Sequence, residues 1–132
     1  MAASPNMAEK RERITVGDLL ADTELSPRDL SLIFELTERV KASPHAYAQA
    51  LRGKQLALIF EKPSLRTRVT FEVGMTSMGG FAVYLDHEKP RLGEREAVRD
   101  IARNLERWVD GIVARTSRMS RWWNWPKTPR FL

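Results

Sequence analysis

The sequence predicts an α/β fold: a partial parallel sheet with flanking helices, built in the order strand, helix, strand, helix, strand. Leu56-Ala57-Leu58-Ile59-Phe60 is apolar at every position, the pattern of a strand covered on both faces, as parallel sheets require. Two further short apolar runs, Phe81 to Leu85 and Gly111 to Ala114, follow at intervals that leave room for a helix before each. The intervening segments are patterned as helices, the usual crossovers between parallel neighbours.

Residues 1–13 are polar and charged and read as a frayed end. Ser26-Pro27 has the form of an N-cap with proline at the first helical position. Leu30, Ile33, Phe34, Leu36, Thr37 and Val40 then recur at helical spacing, which predicts an amphipathic helix ending before Ser43-Pro44. A shorter helical stretch, Ala46 to Leu51, leads to the stop Arg52-Gly53 and the first strand. After Pro63-Ser64 a helix is expected from Arg66 to Met78, closed by Gly79-Gly80 before the second strand. Asp86 to Gly93 reads as a polar loop, Glu94 to Trp108 as the next helix, and Gly111 to Ala114 as the third strand.

A length of 132 residues allows one domain, and 42% hydrophobic residues can supply its core. The absence of cysteine removes disulfides and thiolate zinc sites, and two histidines leave little for a metal cluster. No apolar run approaches the about 20 residues of a membrane span, and the N-terminus lacks a secretory apolar core. The expected location is therefore cytoplasmic, with no membrane partner.

The net charge of +5 would ordinarily suggest a nucleic-acid partner. The excess is local. Arg118, Arg121, Lys127 and Arg130 fall between Ser117 and Leu132, where there is no acidic residue, and three of the four tryptophans (Trp122, Trp123, Trp125) lie there too. A small basic nucleic-acid-binding module, stacking bases on tryptophan, is thus an alternative that rests on the tail alone. The body, residues 1–116, is nearly neutral.

In open α/β sheets ligands bind beyond the carboxyl ends of the strands, often on the N-terminus of the following helix. The loop after the first strand reads Phe60-Glu61-Lys62-Pro63-Ser64-Leu65-Arg66-Thr67-Arg68. Ser64 is an N-cap candidate, and the backbone N–H groups of Leu65, Arg66 and Thr67 would face whatever sits there. Hydroxyls at Ser64 and Thr67 add donors, and Arg66 can make a bidentate contact to phosphate oxygens. This suits a phosphate or carboxylate cradle that is not a Walker loop. Spacing alone leaves open a solvated, arginine-rich helix end. Cations at a helix N-terminus oppose the dipole, which favours a site holding an anion. Arg115, at the carboxyl end of the third strand, fits the same sheet edge, although by itself it also reads as a surface ion-pair residue.

Residues 60–68 closely resemble the carbamoyl-phosphate signature of the aspartate/ornithine carbamoyltransferases, usually written S-T-R-T-R. The resemblance continues through Phe71-Glu72, Gly79-Gly80, Tyr84-Leu85-Asp86, Arg91 to Glu96 and Asp110 to Thr116. It covers roughly residues 14 to 116, and the opening Phe-Glu-Lys-Pro-Ser and the Asp-Gly-Ile-Val-Ala-Arg-Thr strand are most like the ornithine branch.

The resemblance implies that the body is a carbamoyl-phosphate-binding domain in which Ser64, Leu65 (through its backbone), Arg66, Thr67 and Arg115 hold carbamoyl phosphate. It also implies that Arg66 and Arg115 are catalytic, stabilising charge on the carbonyl oxygen and the phosphate. Arg91 and Arg95 match loop positions that reach a neighbouring subunit's active site in the homotrimeric family, and Arg68 matches a loop-supporting position. Leu65 departs from the usual threonine and loses one hydroxyl. The family reaction is attack of the ornithine δ-amine on the carbamoyl carbon, giving citrulline and phosphate in arginine biosynthesis, with no metal or organic cofactor. Aspartate or an acylated ornithine is the alternative acceptor, since a second, amino-acid-binding domain chooses it. That domain and a His-Pro-x-Gln segment are expected after the third strand and do not occur in the sequence; His45 and His87 lie outside any such motif and read as surface residues.

The tail resembles nothing in the family, and the genetic code constrains it. Tryptophan has one codon, so Trp122-Trp123-Asn124-Trp125-Pro126, taken as the last base of each codon with the first two of the next, must give Val-Glu-Leu-Ala. The junction of Arg118 with Met119 permits His in the same frame. A stretch of this kind is what the family places after Ala-Arg-Thr, which implies a single-base shift near Thr116-Ser117 and a tail, 117–132, translated out of frame. Sequencing the gene across codons 112–132 is expected to reveal a one-base correction that opens a long frame containing His-Pro-x-Gln; an immediate stop in that frame refutes the shift. The 132-residue chain by itself is expected to form no citrulline in a colorimetric assay, and turnover at ordinary enzyme rates would refute that.

Overall fold

An uninterrupted apolar strand can be buried only if it lies between two other strands and under helices on both faces, and the run at 56–60 does so. In the computed structural model, which describes residues 13–86 and 94–116, β1 (Gln55–Phe60) is the middle strand of a three-stranded sheet. β2 (Phe81–Asp86) lies on one side and β3 (Gly111–Arg115) on the other, both parallel to β1. The register pairs Leu58 with Tyr84 on one side and Phe60 with Arg115 on the other. From Ala57 to Phe60 the strand is buried at every residue, whereas the flanking strands are only partly covered.

The chain divides into two compact units, Met1–Ala42 and Ser43–Leu132. In the first, α1 (Pro27–Ala42) begins where Ser26-Pro27 predicts. The Asp29 carboxylate accepts hydrogen bonds from the Ser26 N–H (3.0 Å) and Ser26 Oγ (2.7 Å), while Ser26 Oγ accepts from the Asp29 N–H (3.1 Å). This reciprocal pairing is a capping box with aspartate in the third position. The same carboxylate accepts from the Thr15 N–H (2.8 Å) and Thr15 Oγ1 (2.7 Å), tying the preceding segment to the helix start. The Thr15 hydroxyl first, then Ser26, hold the Asp29 carboxyl well below the usual carboxylate range despite its burial.

In the second unit, the expected helix at 46–51 is a short 3₁₀ turn, Pro44–Tyr47, followed by hydrogen-bonded turns. Proline opens it and Gly53, at φ +75°, closes it in the left-handed region where glycine is unstrained. α2 (Leu65–Ser77) and α3 (Val98–Trp108) cover opposite faces of the sheet. Leu105 of α3 packs with Ala57 and Ile59, joined by Leu85, Val98, Ile101, Val109 and Ile112. Side chains alternate along a strand, so Leu58 and Phe60 face the other way, toward Tyr84 and α2. Passing outward from β1 to β2 under one helix, and back across to β3 under the other, gives both crossovers the same hand.

α3 starts at Val98, not at Glu94 as the sequence predicts. Glu94, Arg95 and Glu96 favour helix but have nothing to bury, and the helix begins with the first side chain that reaches the core. The turn at Gly79-Gly80 is needed for space. Gly79 has φ +83°, and a Cβ on Gly80 would lie 2.7 Å from Met75 Cε and 3.0 Å from the Leu51 carbonyl oxygen. At the opposite end of the sheet from the C-termini of the strands, Lys54 Nζ and the Gln55 N–H each donate to the Asp110 carboxylate at 2.8 Å, and these two bonds lower its pKa.

Ile59→Ala is expected to lower the unfolding free energy by about 2–5 kcal/mol in denaturant titrations, through lost burial and the cavity left at the sheet centre. A second prediction concerns acid. The folded state prefers the ionised Asp29, so its contribution is complete above the ordinary carboxyl value of about 3.9 and is lost as pH falls through the depressed folded value. Thermal melts of Asp29→Asn are expected to show lower stability at neutral pH and a smaller loss below about pH 4 than the parent.

Candidate functional site

The strand order β2-β1-β3 places a topological switch point between β1 and β3, where the chain leaves β1 toward one side of the sheet and returns to β3 on the other. Both strands end there. The last register pair is Phe60 with Arg115, and one residue further the Glu61 N–H donates to the Arg115 carbonyl at 2.9 Å. Glu61 itself is a buried carboxylate. The loop that leads to α2 therefore leaves the sheet at the rung where Arg115 ends β3.

Ser64 occupies the N-cap position of α2, with extended backbone (φ −152°, ψ 94°), but its hydroxyl caps no backbone N–H. It donates instead to Thr67 Oγ1 at 2.9 Å, so the expected capping role is replaced by a hydroxyl pair across the first turn. The first-turn N–H groups of Leu65, Arg66 and Thr67 lack intrahelical partners, and the first backbone bond closing the helix runs from the Arg68 N–H to the Ser64 carbonyl at 3.0 Å. With the helix dipole behind them, these N–H groups favour an anion.

The side chains divide by role. Leu65 is 78% exposed and apolar in its side chain, so this residue offers the candidate site only its N–H. Arg66 is exposed, and neither it nor the Arg115 side chain has an ion-pair partner among the described residues. Arg68 is held differently. Its Nε donates to Glu72 Oε1 at 3.0 Å, one turn further along α2, and its guanidinium carbon lies 3.9 Å from the centroid of the Tyr84 ring. Tyr84 in turn meets Phe60 edge-on, with centroids 5.4 Å apart and planes at 87°. Exposed contacts of the first two kinds contribute about 0.3–1 kcal/mol each.

Arg95 sits on an exposed bend before α3 and makes no hydrogen bond or ion pair with the α2 N-terminus among the described residues. Arg91 and His87 lie outside the described residues, as does the tail 117–132. Among the described residues no cluster of His, Cys, Asp and Glu could hold a metal ion, and no helix is long and apolar enough to cross a membrane. The sequence reasoning missed the partnership of Arg68 with Glu72 and Tyr84; the i, i+4 charge spacing of the first pair was the available signal.

An exposed helix N-terminus at a parallel-sheet switch point, with two arginines near it that have no ion-pair partner among the described residues, is an arrangement of an α/β domain that suits an anion. Comparison with known proteins makes this specific. Residues 17–127 match the family described as aspartate/ornithine carbamoyltransferase, carbamoyl-P binding domain, a match that runs past Thr116 into the tail. The ornithine carbamoyltransferase of Thermus thermophilus is 52% identical over 101 residues, covering 76% of this chain and 33% of that protein. That of Vibrio sp. (strain 2693) is 51% identical over 98 residues, covering 74% and 33%. The crystal structure of the Thermus thermophilus ornithine carbamoyltransferase superposes with a TM-score of 0.70 at 50% identity, over 79% of this chain and 36% of that one. The chain belongs to the aspartate/ornithine carbamoyltransferase family, within its carbamoyl-phosphate-binding domain. It spans about a third of the length of the curated relatives it matches.

Proposed function

We propose that this chain supplies the carbamoyl-phosphate site of an ornithine carbamoyltransferase. The observation that carries this is the open first turn of α2, its N–H groups uncapped by Ser64, standing beside Arg115 at the switch point. In this role Ser64, Thr67 and the N–H groups of Leu65 to Thr67 hold the phosphate oxygens, Arg66 adds a bidentate charged contact, and Arg115 spans the carbonyl and phosphate oxygens.

The ornithine δ-amine, supplied to this site with the rest of its substrate by the amino-acid-binding domain, attacks the carbamoyl carbon. A C–N bond forms, negative charge gathers on the carbonyl oxygen, and the bond from carbon to the phosphate oxygen then breaks. The amine's proton passes to the departing phosphate, which leaves as inorganic phosphate. The protein's contribution is orientation of the two reactants and a fixed positive field where charge develops, at Arg115 for the carbonyl and at Arg66 with the helix N-terminus for the leaving phosphate. Arg91 and Arg95 belong, in this reading, to a loop serving the neighbouring site of a homotrimer. The setting is cytoplasmic arginine biosynthesis, with residues 1–116 as the carbamoyl-phosphate domain and 117–132 as an out-of-frame tail.

Isothermal titration of the chain with phosphonoacetamide, a non-reacting mimic of carbamoyl phosphate, tests this. Arg66→Ala and Arg115→Ala are each expected to weaken binding about 10- to 100-fold, the loss of a charged hydrogen-bonded contact, while circular dichroism stays unchanged. Affinity is also expected to fall as salt is raised. Undiminished binding in both folded variants would sink the assignment.

A further inference from the structure

Arg68 is the residue whose backbone N–H closes the first turn of α2, through its bond to the Ser64 carbonyl at 3.0 Å. The same residue's side chain reaches over a ring that belongs to a different element, β2. The segment that presents the three N–H groups is thus fastened at both ends. On one side the Glu61 N–H is bonded to the Arg115 carbonyl of β3 at 2.9 Å, and on the other Arg68 is stacked 3.9 Å from the Tyr84 centroid of β2.

The ring that receives Arg68 is itself oriented. Tyr84 pairs with Leu58 in the register, and its ring meets Phe60, which is 1% exposed, nearly at right angles. Glu72 completes the arrangement by accepting from Arg68 Nε at 3.0 Å, so the guanidinium is held by a carboxylate at one nitrogen and lies over a ring, 3.9 Å from its centroid. A planar guanidinium satisfies both demands together, whereas an ammonium is a point charge with no flat face.

This arrangement also separates the cations of the first turn. Two arginines beside a helix N-terminus repel each other and oppose the dipole. Arg68 is compensated by Glu72 and by the negative face of Tyr84, which leaves Arg66 as the uncompensated charge of that turn.

We propose that Tyr84 is a positioning residue for the anion site, acting through Arg68: its ring, braced by Phe60, sets where the first turn of α2 stands relative to the sheet. This rests on the reading of that turn as the carbamoyl-phosphate cradle. The chain is titrated with phosphonoacetamide at several salt concentrations. Tyr84→Leu, which removes the π face, is expected to weaken binding about 3- to 20-fold, and Tyr84→Phe to stay within about twofold of the parent. The salt dependence of Tyr84→Leu is expected to match the parent, because Arg66 and Arg115 are untouched.

A role confined to folding would shift the melting temperature and leave the affinity of the folded fraction where it was. Should Tyr84→Leu fail to fold, Arg68→Lys decides, since it keeps the charge and loses the flat fork; a similar loss is expected. Binding by either folded variant within about twofold of the parent overturns the positioning role and leaves the cradle standing. A parent chain that takes up no phosphonoacetamide overturns the cradle and the role with it.

Discussion

A strand paired on both edges and covered on both faces has no place for a polar side chain, and β1 obeys that constraint from Ala57 to Phe60. Everything near the site follows from where the constraint ends. Beyond Phe60 the chain turns polar within one residue, at Glu61, and the loop 61–64 carries it out of the sheet into α2. The parallel partner β3 ends at the same level, so Arg115 comes to stand next to the exit of β1 without any contact between their side chains being required. Burial of four consecutive residues thus fixes the place of the candidate site.

The electrostatics of the site come from backbone and side chains acting together. A helix start whose N-cap hydroxyl is turned to Thr67 keeps its N–H groups open, and the arginines around it fall into two kinds. Arg66 and Arg115 carry charge outward, while Arg68 is compensated by Glu72 and Tyr84 and serves as a fastening. A row of identical residue types in the sequence therefore has unequal roles, decided by what lies beneath each one. The Leu65 side chain, almost fully exposed, has no part in this beyond its backbone.

Much of the fold is legible in the sequence because local chemistry decides it. The unbroken run 56–60 signals its own burial, Ser26-Pro27 marks the start of α1, and Gly79-Gly80 marks a turn where a side chain on Gly80 would meet Met75. The start of α3 is less legible, since Glu94 to Glu96 favour helix by propensity and only the core, through Val98 and Ile101, determines where the helix begins. Ser64 looks like a cap by residue type, yet a hydroxyl neighbour three residues on diverts it. The stacking of Arg68 on Tyr84 joins residues sixteen apart across two elements, and no local pattern marks it. The sequence marks the arginines of the candidate site as residues, but not which of them are paired.

The pairing of β1 with β3 has a consequence for how such a chain can vary. The distance from the α2 start to Arg115 is set by adjacent rungs of one parallel ladder, Phe60 with Arg115 and then Glu61 with the Arg115 carbonyl. Some fifty residues of chain separate these neighbours in sequence, including α2, β2 and α3, yet none of them spans the gap. A change of length between β2 and α3 therefore leaves the spacing of the α2 start and Arg115 unaltered, provided the two strands keep their register, and acts instead on the segment that carries Arg91 and Arg95. A slip of one rung in that register is a different matter, because it would turn Arg115 to the opposite face of the sheet. The ladder, and not the chain between its strands, holds the α2 start beside β3.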